Sequence, residues 1–353
     1  MKYNVKYPRL PEAQEPLAAI WKANLTLECD PQEKFRWYYQ DNPLGAGSAV
    51  LLECSSDSGE SMGFVGCGGI GNRQFFFHGR PLRVALLSDF AVNREHRTAF
   101  PALMLQRSAR TYCRAHFDFS YGFPNRHAVG LFHKLGYHDL GQAVRYARVL
   151  RHEEYLRRHV GSKGLAKMAG FAIDVPHHSL DLAKSLRSVF SLKLEWLQGV
   201  DSRLDRLWER ACTLFPLMGY RGSDHVRWRF FDRPGIRHEL VALVGRQSNE
   251  IRASAVLQLD KVAHVRDLLG QSEEDMGLLL DMLAPELRRR GMSSMSIRFL
   301  GSGRMHALLR AHGFVPREQS RSVIMDPGDS SAAIKTDLSN VENWYIMDGD
   351  EDS

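Results

Sequence analysis

Asp89 is the residue whose setting first points to chemistry. It sits in Leu82-Arg83-Val84-Ala85-Leu86-Leu87-Ser88-Asp89-Phe90-Ala91-Val92, a run that is almost continuously apolar. Taking a carboxylate out of water penalises its charged form, which suits it to accept a proton near neutral pH. The competing reading is structural: Asp89 caps a nearby backbone group or pairs with Arg83 or Arg36. A polar turn, Asn93-Arg94-Glu95-His96-Arg97, follows, and then a predicted helix over 100–115. Strand, basic turn and helix start together offer N–H groups, a dipole and a guanidinium to an anion.

Other constellations carry less. Gly66-Cys67-Gly68-Gly69-Ile70-Gly71 has GxGxxG spacing, but the strand-like Asn72-Arg73-Gln74-Phe75-Phe76-Phe77 stands where a dinucleotide-binding helix would begin. These glycines read instead as a turn between strands with close backbone approach. His177-His178 has no partner at metal-ligand spacing, so no metal is expected. Ser88 lacks a nucleophile elbow, and no covalent intermediate is expected. Cys29, Cys54, Cys67, Cys113 and Cys212 are scattered and form no CxxC pair, which fits a reducing cytoplasm rather than a disulfide framework or zinc ribbon.

The elements that must position these residues follow from periodicity. Helices are predicted over 11–27 and 32–40, strands over 49–53, 63–68, 82–92 and 117–123, with an extended stretch at 74–78. The 100–115 helix precedes the last of these strands, and a helix over 126–135 and a strand over 143–149 complete this half. The later half reads as strands over 239–244, 252–259 and 264–269, a helix over 273–290, a strand over 294–299 and a helix around 306–311. Two landmarks recur in the same order. Arg36-Trp37-Tyr38-Tyr39-Gln40-Asp41-Asn42-Pro43 matches Arg227-Trp228-Arg229-Phe230-Phe231-Asp232-Arg233-Pro234, and the stretch ending Leu135-Gly136-Tyr137 matches the one ending His312-Gly313-Phe314. The Arg-Trp pairs are read as an aromatic stripe packing on the sheet. The repeat predicts a duplicated α/β domain, too widely spaced for a solenoid. Residues 1–150 form the first half, 151–169 a basic linker within the basic run 145–167, 170–325 the second half, and 326–353 a mostly irregular acidic tail.

Charge is unevenly spread over the 353 residues. The tail has eight acids against Lys335, a net of −7, so a chain of net +6 carries +13 on the remaining 325 residues. A basic body favours anionic partners. No apolar run is long enough to span a bilayer, and no secretory signal is read at the start, so a cytoplasmic protein is expected.

The strand ending at Val92, its turn, and Arg97-Thr98-Ala99-Phe100-Pro101-Ala102 resemble the central motif of the GNAT superfamily of acyl-coenzyme A-dependent N-acyltransferases, Arg/Gln-x-x-Gly-x-Gly/Ala. Arg97 and Ala102 match. Phe100 replaces a motif glycine, and Pro101 removes an N–H donor. Tyr121-Gly122-Phe123-Pro124-Asn125, then Ala128, Leu131 and Leu135-Gly136-Tyr137, resemble the family's fifth strand and following helix. The ending around Asn343-Trp344-Tyr345 is similar to tandem members found near bacterial polysaccharide-synthesis genes. The second half has Gly270-Gln271-Ser272-Glu273-Glu274-Asp275 where the phosphate loop would stand, and its acids would repel phosphate.

The resemblance implies two tandem α/β (α+β) domains, each a mixed, mostly antiparallel sheet with a splayed parallel central pair. Only the first would bind acyl-coenzyme A. Backbone groups of Phe90, Ala91 and Val92 would pair with pantetheine, and Arg97, Thr98, Ala99, Phe100 and Ala102 would receive the pyrophosphate. Asn125 would cap the next helix and face the cleft. Phe132 stands where the family often has an acidic tyrosine, so Tyr121 or Tyr137 becomes the candidate acid and Asp89 the candidate base. The acceptor would be an amine on a small molecule or sugar precursor. Two alternatives stand beside this: a catalytically silent scaffold in envelope or polysaccharide assembly, and a Fem-type aminoacyl transferase using charged tRNA, although nucleic acid is not the expected partner. The tail is also expected to fold back on the basic body as a mimic of an anionic ligand.

Overall fold

The computed structural model describes residues 1–151 and 191–352. Most of the predicted linker, His177-His178 and the 170 boundary therefore lie outside the described residues. Among the described residues, no helix is long and apolar enough to cross a membrane.

The first half runs β1 (Lys2–Lys6), α1 (Leu10–Asn24), α2 (Pro31–Phe35), β2 (Ser48–Ser55), β3 (Ser61–Phe77), β4 (Arg80–Val92), α3 (Ala99–His116), β5 (Phe119–Gly122), α4 (Val129–Lys134) and β6 (His138–Val149). The second runs β7 (Leu192–Leu197), α5 (Arg203–Ala211), β8 (Leu217–Gly219), α6 (Ser223–Val226), β9 (Glu239–Gly245), β10 (Ile251–Leu259), β11 (Val262–Gly270), α7 (Glu273–Arg289), β12 (Ser294–Gly301), α8 (Gly303–Ala311), β13 (Val315–Asp326), α9 (Ala332–Ser339) and β14 (Trp344–Met347).

The two halves share one sheet, ordered β1-β2-β3-β4-β5-β13-β6-β12-β11-β10-β9-β7. Its centre shows an exchange. β13 of the second half pairs with β5, β6 of the first half pairs with β12, and β6 and β13 pair antiparallel with each other. The start of the basic run, Arg145 and Arg148, lies in β6, which contains the strand predicted over 143–149. β14 pairs with β12 and β8, and β8 pairs with β3, so the hydrogen-bonded path from β3 through β13 and β6 returns to β3. The closed ring is filled by Phe75, Phe119, Tyr121, Leu217, Trp344 and their neighbours.

The tail is a correction to the expectation. Trp344, Tyr345, Ile346 and Met347 are buried, because β14 completes the ring, and the acids that follow are held by arginines. Arg266 and Arg298 bind Asp348, Arg221 binds Asp350, Arg298 and Arg321 bind Glu351, and Arg321 reaches Asp352.

The Arg-Trp repeat makes a further contact that the sequence did not announce. After α2 and after α6 the backbone widens by one residue into a π-turn, Arg36–Gln40 and Arg227–Phe231, each closed by an N–H from Asp41 or Asp232 to the arginine carbonyl. Trp37 and Trp228 stack on each other at 5.6 Å. Each indole N–H donates to the other's backbone carbonyl, at 2.6 and 2.7 Å. The repeat thus meets itself across the pseudo-symmetric centre, and its aromatic rings also pack, as expected, against the sheet at Ala49, Leu51, Cys67 and Ala91.

Candidate active site

β4 and β5 run parallel for four rungs, from Val84 beside Phe119 to Leu87 beside Gly122. They then part. A bulge in the β3–β4 pairing sets Asp89 and Phe90 of β4 against Gly68 of β3, and the Asp89 backbone is left-handed (φ 51°). This turns the end of β4 away from Phe123 and Pro124. The gap opens into a cleft of about 820 Å³. One wall is Ser88, Asp89 and Phe90; the other is Phe123, Pro124 and Asn125, with Gln106 and Phe132 from the flanking helices. Among the described residues, β4 has no strand partner on this side past Leu87, which leaves backbone edge beside Asp89 and Phe90 for an extended ligand.

Asp89 sits at the base of that wall with both oxygens engaged. Lys34 donates to Oδ1 at 2.5 Å, and Tyr39 donates to Oδ2 at 2.7 Å, with Ser88 Oγ 3.2 Å from the same hydroxyl. The partners are therefore Lys34 and Tyr39 rather than Arg83 or Arg36. Lys34 comes from α2 and Tyr39 from the π-turn, so the extra residue in that turn sets the tyrosine's aim. Burial alone would lower the Lys34 ammonium, but the Asp89 charge and hydrogen bond outweigh it and raise it. Burial, and then the Asp89 charge, push the Tyr39 hydroxyl well above its ordinary value.

The GxGxxG-like glycines explain this approach. They lie within β3 rather than in a turn. A Cβ at Gly69 would fall 1.8 Å from the Tyr39 hydroxyl, and one at Gly71 would fall 2.5 Å from the Tyr38 hydroxyl. Their close-approach role holds; the approaching group is an aromatic side chain.

The second half closes the cleft. Ser320, Arg321 and Ser322 of the exchanged β13 line it, as does Asp352. Burial is the largest influence on Asp352 and raises its carboxyl; Arg321 lowers it, and Asp89 adds to the rise. Nothing in the sequence pattern gave Lys34 or Asp352 a place in the cleft, because each reaches it through a tertiary contact, and Tyr39, though part of the Arg-Trp repeat, reaches Asp89 from behind the cleft wall.

Of the residues singled out from sequence, Asp89, Phe90, Asn125 and Phe132 line the cleft. Asn125 caps the turn into α4, its Oδ1 accepting from the N–H groups of His127 and Ala128. Ala91 packs with Trp21 and Cys67, and Val92 packs with Leu105 and Ala109. Tyr121 lies elsewhere: it is fully buried inside the ring, and its hydroxyl donates to the Asp350 carbonyl at 2.7 Å. Tyr137 packs edge-on against Phe132, and burial pushes its hydroxyl up. Arg97 and Thr98 lead into α3, whose first turn holds Ala99, Phe100 and Ala102; Arg97, Thr98, Phe100 and Ala102 are not among the residues lining the cleft. The Arg97 guanidinium is tied to the Val92 carbonyl (2.9 Å) and Asn24 Oδ1 (2.8 Å), and Phe100 is 65% exposed.

No protein-family model matches the sequence, and no curated protein matches it. Solved structures do share the fold. A GCN5-related N-acetyltransferase from Anabaena variabilis is similar at TM-score 0.64 and 10% identity, over 93% of this chain and 73% of that one. Another from Kribbella flavida gives TM-score 0.56 and 11% identity, over 92% and 70%. The N-myristoyltransferase of Saccharomyces cerevisiae, solved with myristoyl-CoA, gives TM-score 0.54 and 9% identity, over 93% and 83%. At these identities the likeness concerns the fold, and the fold is that of two GNAT-like halves.

Proposed function

We propose that this chain is an N-acyltransferase that moves an acyl group from acyl-coenzyme A to a primary amine of a small molecule or sugar precursor. The observation that carries the reading is the opening of β4 from β5 beyond Leu87 and Gly122. The pantetheine arm lies along the unpaired edge at Phe90, Ala91 and Val92. The pyrophosphate is received by backbone N–H groups at the start of α3, while the Arg97 side chain holds that turn in place rather than gripping phosphate.

The chemistry is direct attack of the amine nitrogen on the thioester carbonyl. A C–N bond forms, the C–S bond breaks, the thiolate leaves, and the nitrogen gives up a proton. Asp89, with both oxygens committed, acts as a positioning residue that keeps the Lys34 ammonium at the cleft wall, where its charge stabilises the departing thiolate. Asp352 takes the amine proton, since its raised carboxyl is the better match for a base working near neutral pH.

Calorimetry with acetyl-coenzyme A tests the reading. Binding below about 1 mM is expected, the range of typical enzyme substrates. Ala128→Trp, which places an indole in the cleft, should abolish it. Release of free thiol from acetyl-coenzyme A with amino sugars as acceptors should fall about 100-fold in Asp352→Asn, with affinity for acetyl-coenzyme A retained. Because the base must be ionised and its value is raised, the rate of the unaltered protein should fall on acidification above the ordinary carboxylate range, and this limb should vanish in Asp352→Asn. The commitment of Arg97 and the exposure of Phe100 favour a second reading, a catalytically silent binding protein in envelope or polysaccharide assembly. No binding of acetyl-coenzyme A would select it.

A further inference from the structure

The cleft holds a polar group that its own chain leaves unanswered. Gln106, on α3, is only 2% exposed, and its Oε1 meets no hydrogen-bond donor among the described residues. It lines the cleft with Ala109, one turn further along α3, and with Ala128 and Phe132 at α4. Other polar side chains around the gap are engaged. Lys34 and Tyr39 hold Asp89, and Ser88 lies against the Tyr39 hydroxyl. Asn125 accepts from two backbone N–H groups, and Gln142 donates to Ser322 Oγ at 2.9 Å. A buried amide oxygen without a donor is destabilising, so one aimed into a cleft marks where a ligand supplies the donor. The second half supplies the control. Gln106 is the eighth residue after Thr98, which precedes α3, and the eighth after Ser272, which precedes α7, is Leu280. Leu280 is fully buried, in the core that includes Tyr345 from the tail. Where the chain fills its own gap the position is apolar, and where the gap is open it is an amide.

The setting defines the missing donor. Gln106 lies about 10 Å along α3 from Ala99, at a rise of about 1.5 Å per residue, so it faces the arm of a bound coenzyme rather than its phosphate end. That arm carries two secondary amides. A trans amide sets its N–H and its C=O on opposite sides. One that gives its oxygen to the β4 edge turns its own N–H away from that strand. We infer that Gln106 is a specificity residue for the acyl carrier: its Oε1 accepts that N–H, and the cleft thereby selects thioesters whose arm bears an amide at this depth. The inference rests on the acyl-transfer reading for the identity of the arm.

The test is calorimetry with pantetheine and its two ester analogues, each exchanging one amide N–H for oxygen and keeping the carbonyl. With the unaltered protein, at least one ester should bind about tenfold more weakly than pantetheine, the loss of one buried hydrogen bond. In Gln106→Leu, pantetheine itself should weaken by about tenfold, and that ester should then bind as well as pantetheine does. Gln106→Met, unbranched like glutamine, repeats the comparison without leucine's branch. Both variants should unfold at a higher urea midpoint than the unaltered protein, because the unanswered oxygen is gone. Pantetheine that does not bind, esters that bind as it does, or an ester penalty that persists in both variants overturns the assignment. A lower urea midpoint in both variants makes the amide a structural group and overturns it as well. Acetyl-coenzyme A titrated in the same series separates this from the transferase reading. Its failure to bind with the pantetheine pattern intact sinks the transferase alone, and equal binding to the unaltered protein and both variants sinks the role of Gln106 alone.

Discussion

The two halves build the same gap and treat it in opposite ways. In the first, β4 and β5 hold four parallel rungs and then open onto the cleft at Asp89. In the second, β11 and β12 also hold four, from Val262 beside Ser294 to Val265 beside Ile297. There β14 enters the opening. It pairs with β12 at Phe299, Leu300 and Gly301, and the Tyr345 hydroxyl donates to the Leu268 carbonyl of β11 at 2.6 Å. Asp267, the counterpart of Asp89, is buried against Arg221, which also binds Asp350. The helix after each gap repeats the contrast. Thr98 leads into α3 with no side-chain cap, whereas Ser272 accepts from the Asp275 N–H at the start of α7. One half thus retains an open edge and free helix donors. The other has satisfied both with its own chain, converting a ligand site into core.

The sharpest way to break this comparison is to remove the plug. Tyr345 is fully buried and packs on Phe215 at 4.5 Å and Phe299 at 5.3 Å. Tyr345→Ala should cost about 3–5 kcal/mol in urea unfolding, the range for an aromatic removed from a core. Phe90→Ala, on the open gap, should cost about 1 kcal/mol, because Phe90 is only partly buried and its loss leaves no sealed cavity. Equal costs would mean that the two gaps are not filled differently.

Much of this contrast could be read in the sequence, and the unread part has physical causes. Apolar runs and helical periodicity located β4, α3, β11 and α7 to within a few residues, since both signals are local. The acids after Gly270 already argued against phosphate in the second half. The identity of the plug was hidden, because Trp344-Tyr345-Ile346-Met347 is too short to signal a buried strand and lies among acids. The exchange of β6 and β13 could not be read from periodicity, which reports a strand and not its neighbour. The partners of Asp89 depend on the π-turn, an extra residue that no local pattern announces. The Tyr121 placement was legible and missed: Phe119, Tyr121 and Phe123 alternate with Ser120 and Gly122, so the tyrosine shares the apolar face of β5.

The exchanged strands are clasped in mirror fashion, which gives a smaller test. β13 offers Asp326 to Arg110 and Arg114 of α3, at 2.9 and 2.8 Å, while β6 offers Arg148 to Asp281 of α7 at 3.0 Å. Burial alone would raise the Asp326 carboxyl, but the two arginines outweigh it and hold it below its ordinary value of 3.8. The native state therefore keeps this charge at pH values where the unfolded chain has begun to bind protons. Its contribution to stability is complete above the ordinary value and fades as pH falls through the lower native one. Asp326→Asn should destabilise by about 2 kcal/mol at pH 7, with the arginine ends partly solvated. The difference from the unaltered chain should shrink in chemical unfolding carried below the ordinary value. A pH-independent difference would mean that Asp326 acts through packing alone.

The smallest effect concerns the starts of α3 and α7. If the open half differs from the plugged one by offering helix N–H groups to phosphate, the bulk at position 100 is an obstacle. Phe100 is largely exposed, and its one nearby ring is Tyr3 at 6.4 Å, so replacing it sacrifices little packing. Phe100→Gly lets backbone approach the pyrophosphate more closely, offset by the conformational cost of glycine in the first helical turn, below about 1 kcal/mol. The expected net gain is about threefold in acetyl-coenzyme A affinity by calorimetry, well under one tenfold step. A change in the first turn of the other helix, Asp275→Gly, should gain none: Asp275 is held by Ser272 and by Arg252 at 2.8 Å, and the gap beyond it remains filled by Tyr345. A gain at both helix starts would show that coenzyme recognition answers to local charge and backbone, and not to which gap is open.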